Sequence, residues 1–183
     1  MTNLVSSEIF DLYRESLNVL SGTETEGLLL TYIRRFWPII VEAGKIEGFD
    51  YGFFDDWKDK LASSDHDLDV SQYRQRLPDM DEVKFTTKWG QASHSVLIFT
   101  AYCSEAILTN SAGSVVRNLI KSYLEIIDHV VWLDDTPNAL DVTAIYQAAV
   151  LDFVGTCRRM ALASDLTVGQ NALIFGCVSD SGI

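Results

Sequence analysis

The residues of this chain whose types and spacing could support chemistry lie in three places. The first is the run Asp65-His66-Asp67-Leu68-Asp69. Alternating carboxylates of this kind open calcium loops, because a hard cation takes several oxygen ligands. The later positions do not fit: Val70 stands where the tight turn needs Gly, and Arg76 where a bidentate Glu is needed. The second is Glu125, Asp128 and His129 on one predicted helix. A di-iron carboxylate site asks for Glu-x-x-His on two helices, whereas here the spacing is four and no second copy exists. The third is the set of thiols, Cys103, Cys157 and Cys177, odd in number and without a C-x-x-C pair. Cys103 and Cys177 sit in apolar sequence, which raises a thiol pKa and weakens the nucleophile. Arg158 and Arg159 follow Cys157, but consecutive helical residues point in different directions. His94 stands near a helix start with no partner visible in sequence. Neither a G-x-S-x-G elbow nor a phosphate-binding glycine loop occurs. The expectation is therefore no metal ion, no cofactor, no assigned catalytic residue, and thiols that are buried and free.

What remains is an acidic and aromatic stretch. Residues 47–82 hold eleven acids against four bases, a net −7 of the −12 carried by the whole chain. Phe49, Tyr51, Phe53, Phe54 and Trp57 are interleaved with these carboxylates. Aromatic side chains anchor protein interfaces, and complementary charge speeds encounter. The candidate partner-binding residues are Phe53, Asp55, Asp56, Trp57, Asp59, Asp65, Asp67 and Asp69. A second reading of the same residues makes the aromatics core and the acids the wet face of one helix. Sequence leaves both open. Acidity of this size repels nucleic acid and anionic membrane, whose affinity depends on Lys and Arg, and favours a basic protein partner.

These residues must be positioned by helices. Ile9, Leu12, Tyr13, Leu17 and Leu20 recur at helical spacing, with Ser6 or Ser7 to cap and Gly22 to end the helix. Thr23-x-x-Glu26 reads as a capping box for a second helix, apolar almost all round, which Pro38 should kink or end before Gly44 and Gly48. A helix over about 53–62 puts Phe53, Phe54, Trp57 and Leu61 on one side; a short one with Val70, Tyr73 and Leu77 follows, stopped by Pro78. Val83, Phe85, Thr87 and Trp89 alternate at period two and make 83–89 the best strand candidate. The strongest helical periods cover 92–109, 114–133 and 137–163, the last opened by Thr136 and Pro137. Residues 172–178 fit a last helix or a strand. The pattern predicts a single all-α domain over 1–183, a multi-helix bundle or stacked hairpins of about seven to nine helices. No apolar run approaches the ~20 residues that span a bilayer, and the first residues lack a basic, apolar leader, so the expected location is the cytoplasm.

In overall character (small, acidic, single-domain, without a catalytic motif) the chain resembles the immunity proteins that neutralise bacterial polymorphic toxins, including those of contact-dependent inhibition systems. The residues carrying the resemblance are the acidic run from Asp55-Asp56 to Asp65-His66-Asp67-Leu68-Asp69 and its aromatics. It implies a toxin inhibitor that works by protein–protein interaction, with a basic toxin domain as partner, often a nuclease whose phosphate site an acidic surface can occlude. It transfers no site residues. The alternatives are a small helical enzyme using His129, Asp128 and Glu125 or His66 and its flanking aspartates, and a self-associating regulatory helical protein.

Overall fold

A computed structural model describes residues 7–63, 67–77, 87–131 and 139–164. Seven α-helices make up these residues: α1 (Ser7–Asn18), α2 (Gly22–Glu47), α3 (Gly52–Ala62), α4 (Val70–Arg76), α5 (Lys88–Leu108), α6 (Ala112–Val131) and α7 (Ala139–Ser164). The protein is all-α, and no strand occurs among the described residues.

The central element is α5. It packs chiefly against α6 and α2 and also carries α4, while α1 and α7 close the far side against α6. Its sequence explains this place. Ala92, Ala101 and Ala106 are small enough for close helix approach, and Val96, Leu97 and Phe99 fill the space around them. Its buried hydroxyls are satisfied within the fold: Thr100 donates to the Val96 carbonyl, Ser104 to that of Thr100, and Ser93 to that of Gly90. The outer helix α2 buries Leu28, Leu29, Tyr32, Ile33, Phe36, Trp37, Ile40 and Ala43, the three-to-four spacing of a single stripe.

Two groups of aromatic rings flank this pair. One joins Tyr13 of α1, Tyr32 and Phe36 of α2, Phe99 of α5, Tyr123 of α6 and Phe153 of α7. The other joins Phe49 and Tyr51 of the α2–α3 connection to Phe53, Phe54 and Trp57 of α3 and Tyr73 of α4.

Several expected boundaries move. The capping box at the start of α2 is Ser21-x-x-Glu24, not Thr23-x-x-Glu26: the Glu24 amide donates to the Ser21 hydroxyl, and the Ser21 amide to the Glu24 carboxylate. Gly22 thus opens α2 and does not close α1. Pro38 does not end α2, which continues to Glu47; the ring lies on the exposed side, where the carbonyl it leaves without a helical donor can reach water. Gly48 ends α2 as expected, in the left-handed region at φ 69°. Thr87 and Trp89 are not strand residues. The Thr87 hydroxyl accepts from the Gly90 amide and caps α5, and Trp89 lies in its first turn. The remainder of that strand candidate, the expected cap at Thr136 and Pro137, Pro78, and 172–178 lie outside the described residues.

Candidate functional site

The acidic–aromatic segment is organised by α3. Asp50 accepts from the Gly52 amide and holds the chain at the start of the helix. Phe54, Trp57 and Leu61 then fall on the buried face, and Asp55, Asp56 and Asp59 on the outer one. Trp57 is only 4% exposed. Its indole N–H donates to the Ser104 hydroxyl of α5 at 3.0 Å, and its ring lies 5.1 Å from that of Tyr73. The expectation of Trp57 as a surface anchor is corrected accordingly: its polar end is satisfied by the core, and it presents no ring to a partner. Phe53 is half-buried, packed against Phe54 and covered by the Arg76 guanidinium at 5.4 Å.

The carboxylates are not equivalent. Asp55 accepts from the Trp37 indole N–H at 2.5 Å, a bond between α2 and α3. Lys58, 20% exposed, lies 3.5 Å from Asp55 and 3.3 Å from Asp59, with its ammonium over the Trp37 ring at 4.8 Å. One lysine therefore balances two aspartates, a cation that counting along the sequence had not tied to either. Asp56 is exposed and has no ion-pair partner among the described residues. Asp69 caps α4, accepting from the Ser71 amide at 2.9 Å and its hydroxyl at 2.8 Å; these bonds hold its pKa below the ordinary carboxylate value. Asp67 is exposed. Asp65 and His66 lie outside the described residues.

The contacts also fix where these groups sit. Tyr51 meets Ser93 and Trp57 meets Ser104, so α3 runs parallel to α5 and its C-terminal end points toward the α5–α6 turn. Tyr73 meets Phe53, Phe54 and Trp57 while Arg76 covers Phe53, so α4 packs against the aromatic residues of α3.

The second group of candidate residues gains members that sequence spacing did not join. Ser95 Oγ on α5 lies 2.9 Å from His129 Nδ1 on α6, and burial followed by the nearby His129 holds the His94 pKa below its ordinary value. Glu125 turns instead to Lys121, at 3.7 Å. A serine hydroxyl against an imidazole is one half of an activated nucleophile. Ser95, however, is 4% exposed, so in this conformation its oxygen is out of reach of a substrate. No group of three or more His, Cys, Asp or Glu side chains is placed to hold a metal ion among the described residues. Cys103 and Cys157 are buried and free, and burial pushes the Cys157 thiol up to about 12 and Cys103 well above its ordinary value. No helix of the described residues is long and apolar enough to cross a membrane. Compared with known proteins, the chain matches no family model, no curated protein and no solved structure.

Proposed function

We propose that this protein is an inhibitor of the immunity type, binding and neutralising a basic toxin domain such as a nuclease. The observation that carries the reading is that Asp56 and Asp59 of α3 and Asp67 and Asp69 just before α4 are all exposed, while Tyr51, Phe54 and Trp57 of the same segment are buried. Such a surface attracts a phosphate-binding cleft through charge and shape more than through a large apolar anchor. Asp56 and Asp59 are the residues assigned to direct contact. Asp55 has a divided role, since it also binds Trp37.

The test is protection. Candidate toxin domains encoded beside this chain are expressed in a sensitive host with and without it. Growth restored by the chain, and lost with Asp56→Lys and Asp59→Lys together, is the expected outcome. A neighbouring toxin that kills equally in the presence of the folded chain would remove the reading.

A further inference from the structure

Where α1 turns into α2 and α5 turns into α6, the bundle ends in a cleft of about 340 Å³. Leu17 and Ile107 form apolar wall; Asn18, Thr25 and Asn110 line it with polar groups. Among its lining residues Glu26 is the one ionisable side chain. Glu26 is half-buried and has neither ion pair nor hydrogen bond to another described residue. The walls are held in place. Asn110 adopts the left-handed region at φ 49°, and its amide oxygen packs so closely on Gly22 that a Cβ there would lie 2.6 Å away. The two turns are therefore seated on each other and the cleft lies between them.

The one ionisable group lining the cleft is negative. Helices α1 and α5 end here and direct their last carbonyls, a partial negative charge, toward this end of the bundle. The positive start of α2 is offset by Glu24 in its capping box, whereas the start of α6 has no acid in its first turn and opposes part of this negative charge. No Lys or Arg lines the cleft.

We propose that this cleft binds a cationic head on an aliphatic stem, an alkylguanidinium or alkylammonium group. The head pairs with Glu26, and the oxygens of Asn18, Thr25 and Asn110 accept remaining N–H bonds. The stem lies against Leu17 and Ile107, as the methylenes of Arg and Lys commonly do on apolar surface. The cleft is at the low end of the size range of ligand sites, suited to one side chain or a small amine rather than a cofactor. It also lies at the end of the bundle toward which α3 points, and a basic partner that also touches Asp56 and Asp59 is the proposed source of the Arg or Lys. That source of the cation rests on the preceding proposal; the chemistry of the cleft does not.

Calorimetry or chemical-shift titration of the intact protein tests it with three probes: butylguanidinium, the acetylated methylamide of arginine, and the same derivative of citrulline, which keeps the shape and lacks the charge. Both cations are expected to bind and the citrulline derivative not. Glu26→Gln should weaken the cations by about ten- to a hundredfold. Ala112→Leu, which narrows the cleft without touching charge, should weaken them too, with circular dichroism confirming the fold of both variants. Tighter binding of the arginine derivative than of butylguanidinium supports the site with a protein side chain as its occupant, and the reverse order supports it with a small free cation. Equal binding of citrulline and arginine derivatives, no binding of any probe, or affinity unchanged in Glu26→Gln overturns the proposal. None of these probes requires the partner, so their failure leaves the α3 surface standing, and loss of the α3 surface leaves the cleft standing.

Discussion

The Thr87 hydroxyl donates a hydrogen bond to the carboxylate of Glu47, joining the last residue of α2 to the N-cap of α5. Glu47 thereby places a negative charge at the positive end of the central helix. Gly90 is bare because a Cβ there would run into that carboxylate. Glu47→Gln should lower stability by about 1–2 kcal/mol, from the weakened charge-assisted bond and the lost dipole term. Gly90→Ala should displace the carboxylate and lose the same contact, with up to about 1 kcal/mol regained from the better helix propensity of Ala. The two changes share one contact, so denaturant unfolding should show them clearly less than additive. Full additivity would mean that the carboxylate is not seated there.

Trp57→Ala should remove about 3–5 kcal/mol of stability, since it empties a buried ring site and leaves the Ser104 hydroxyl without its donor. Trp57→Phe should lose less. Thermal melting reads both. A Trp57→Ala protein that melts like the parent but has lost its partner would restore the anchor reading.

Charge replacement separates the three aspartates of α3. Asp56→Asn and Asp59→Asn should leave melting within about 0.5 kcal/mol of the parent while slowing association with a basic partner and flattening its salt dependence. Asp55→Asn should instead lower stability by roughly 1 kcal/mol, because the Trp37 indole N–H loses an ionised acceptor. Stopped-flow association at several salt concentrations, with melting on the same samples, distinguishes the two behaviours.

Stability should fall at both ends of the pH scale for stated reasons. Burial raises the pKa of Tyr13, Tyr32, Tyr73, Tyr123, Cys103 and Cys157 above the ordinary values of 10.0 and 9.0. The unfolded chain then releases these protons first. Their contribution is complete below about pH 9 and is lost progressively above it, by about 1.4 kcal/mol per pH unit for each group still protonated only in the folded state. His94 acts in the opposite direction. Its pKa is held below 6.5, so its contribution is present above that value and lost as pH falls. His94→Gln should flatten part of the acid limb and leave the alkaline limb unchanged, measured by denaturant unfolding from pH 4 to pH 11.

The helices that sequence located best are those with a long period and clear ends. The observed Lys88–Leu108 span of α5 covers most of the expected 92–109, and α6 covers most of 114–133.

 The alternation over 83–89 hides the start of α5, since Thr87 fits a strand as well as a cap, and only the bond its hydroxyl accepts from the Gly90 amide decides for the cap. The same ambiguity governs α2. Ser21-x-x-Glu24 and Thr23-x-x-Glu26 both fit a capping box, and the local pattern cannot choose between them until a hydroxyl is seen to face an amide. The site was legible to a lesser degree. Placing Phe54, Trp57 and Leu61 on one face of α3 followed from spacing, but whether that face met solvent or α5 depended on packing. The approach of Ser95 to His129 was invisible for the same reason, since it rests on the register between α5 and α6.

The two aromatic groups described above have a consequence for partial unfolding. No ring pair among the described residues joins them, and α2 and α5 are the elements that reach both. Opening α3 and α4 breaks one group while Tyr32, Phe36, Tyr123 and Phe153 stay packed in the other. The chain is therefore built as two neighbouring units on a common spine, and slow amide exchange should persist in α2, α5 and α6 under conditions where the amides of α3 and α4 already exchange.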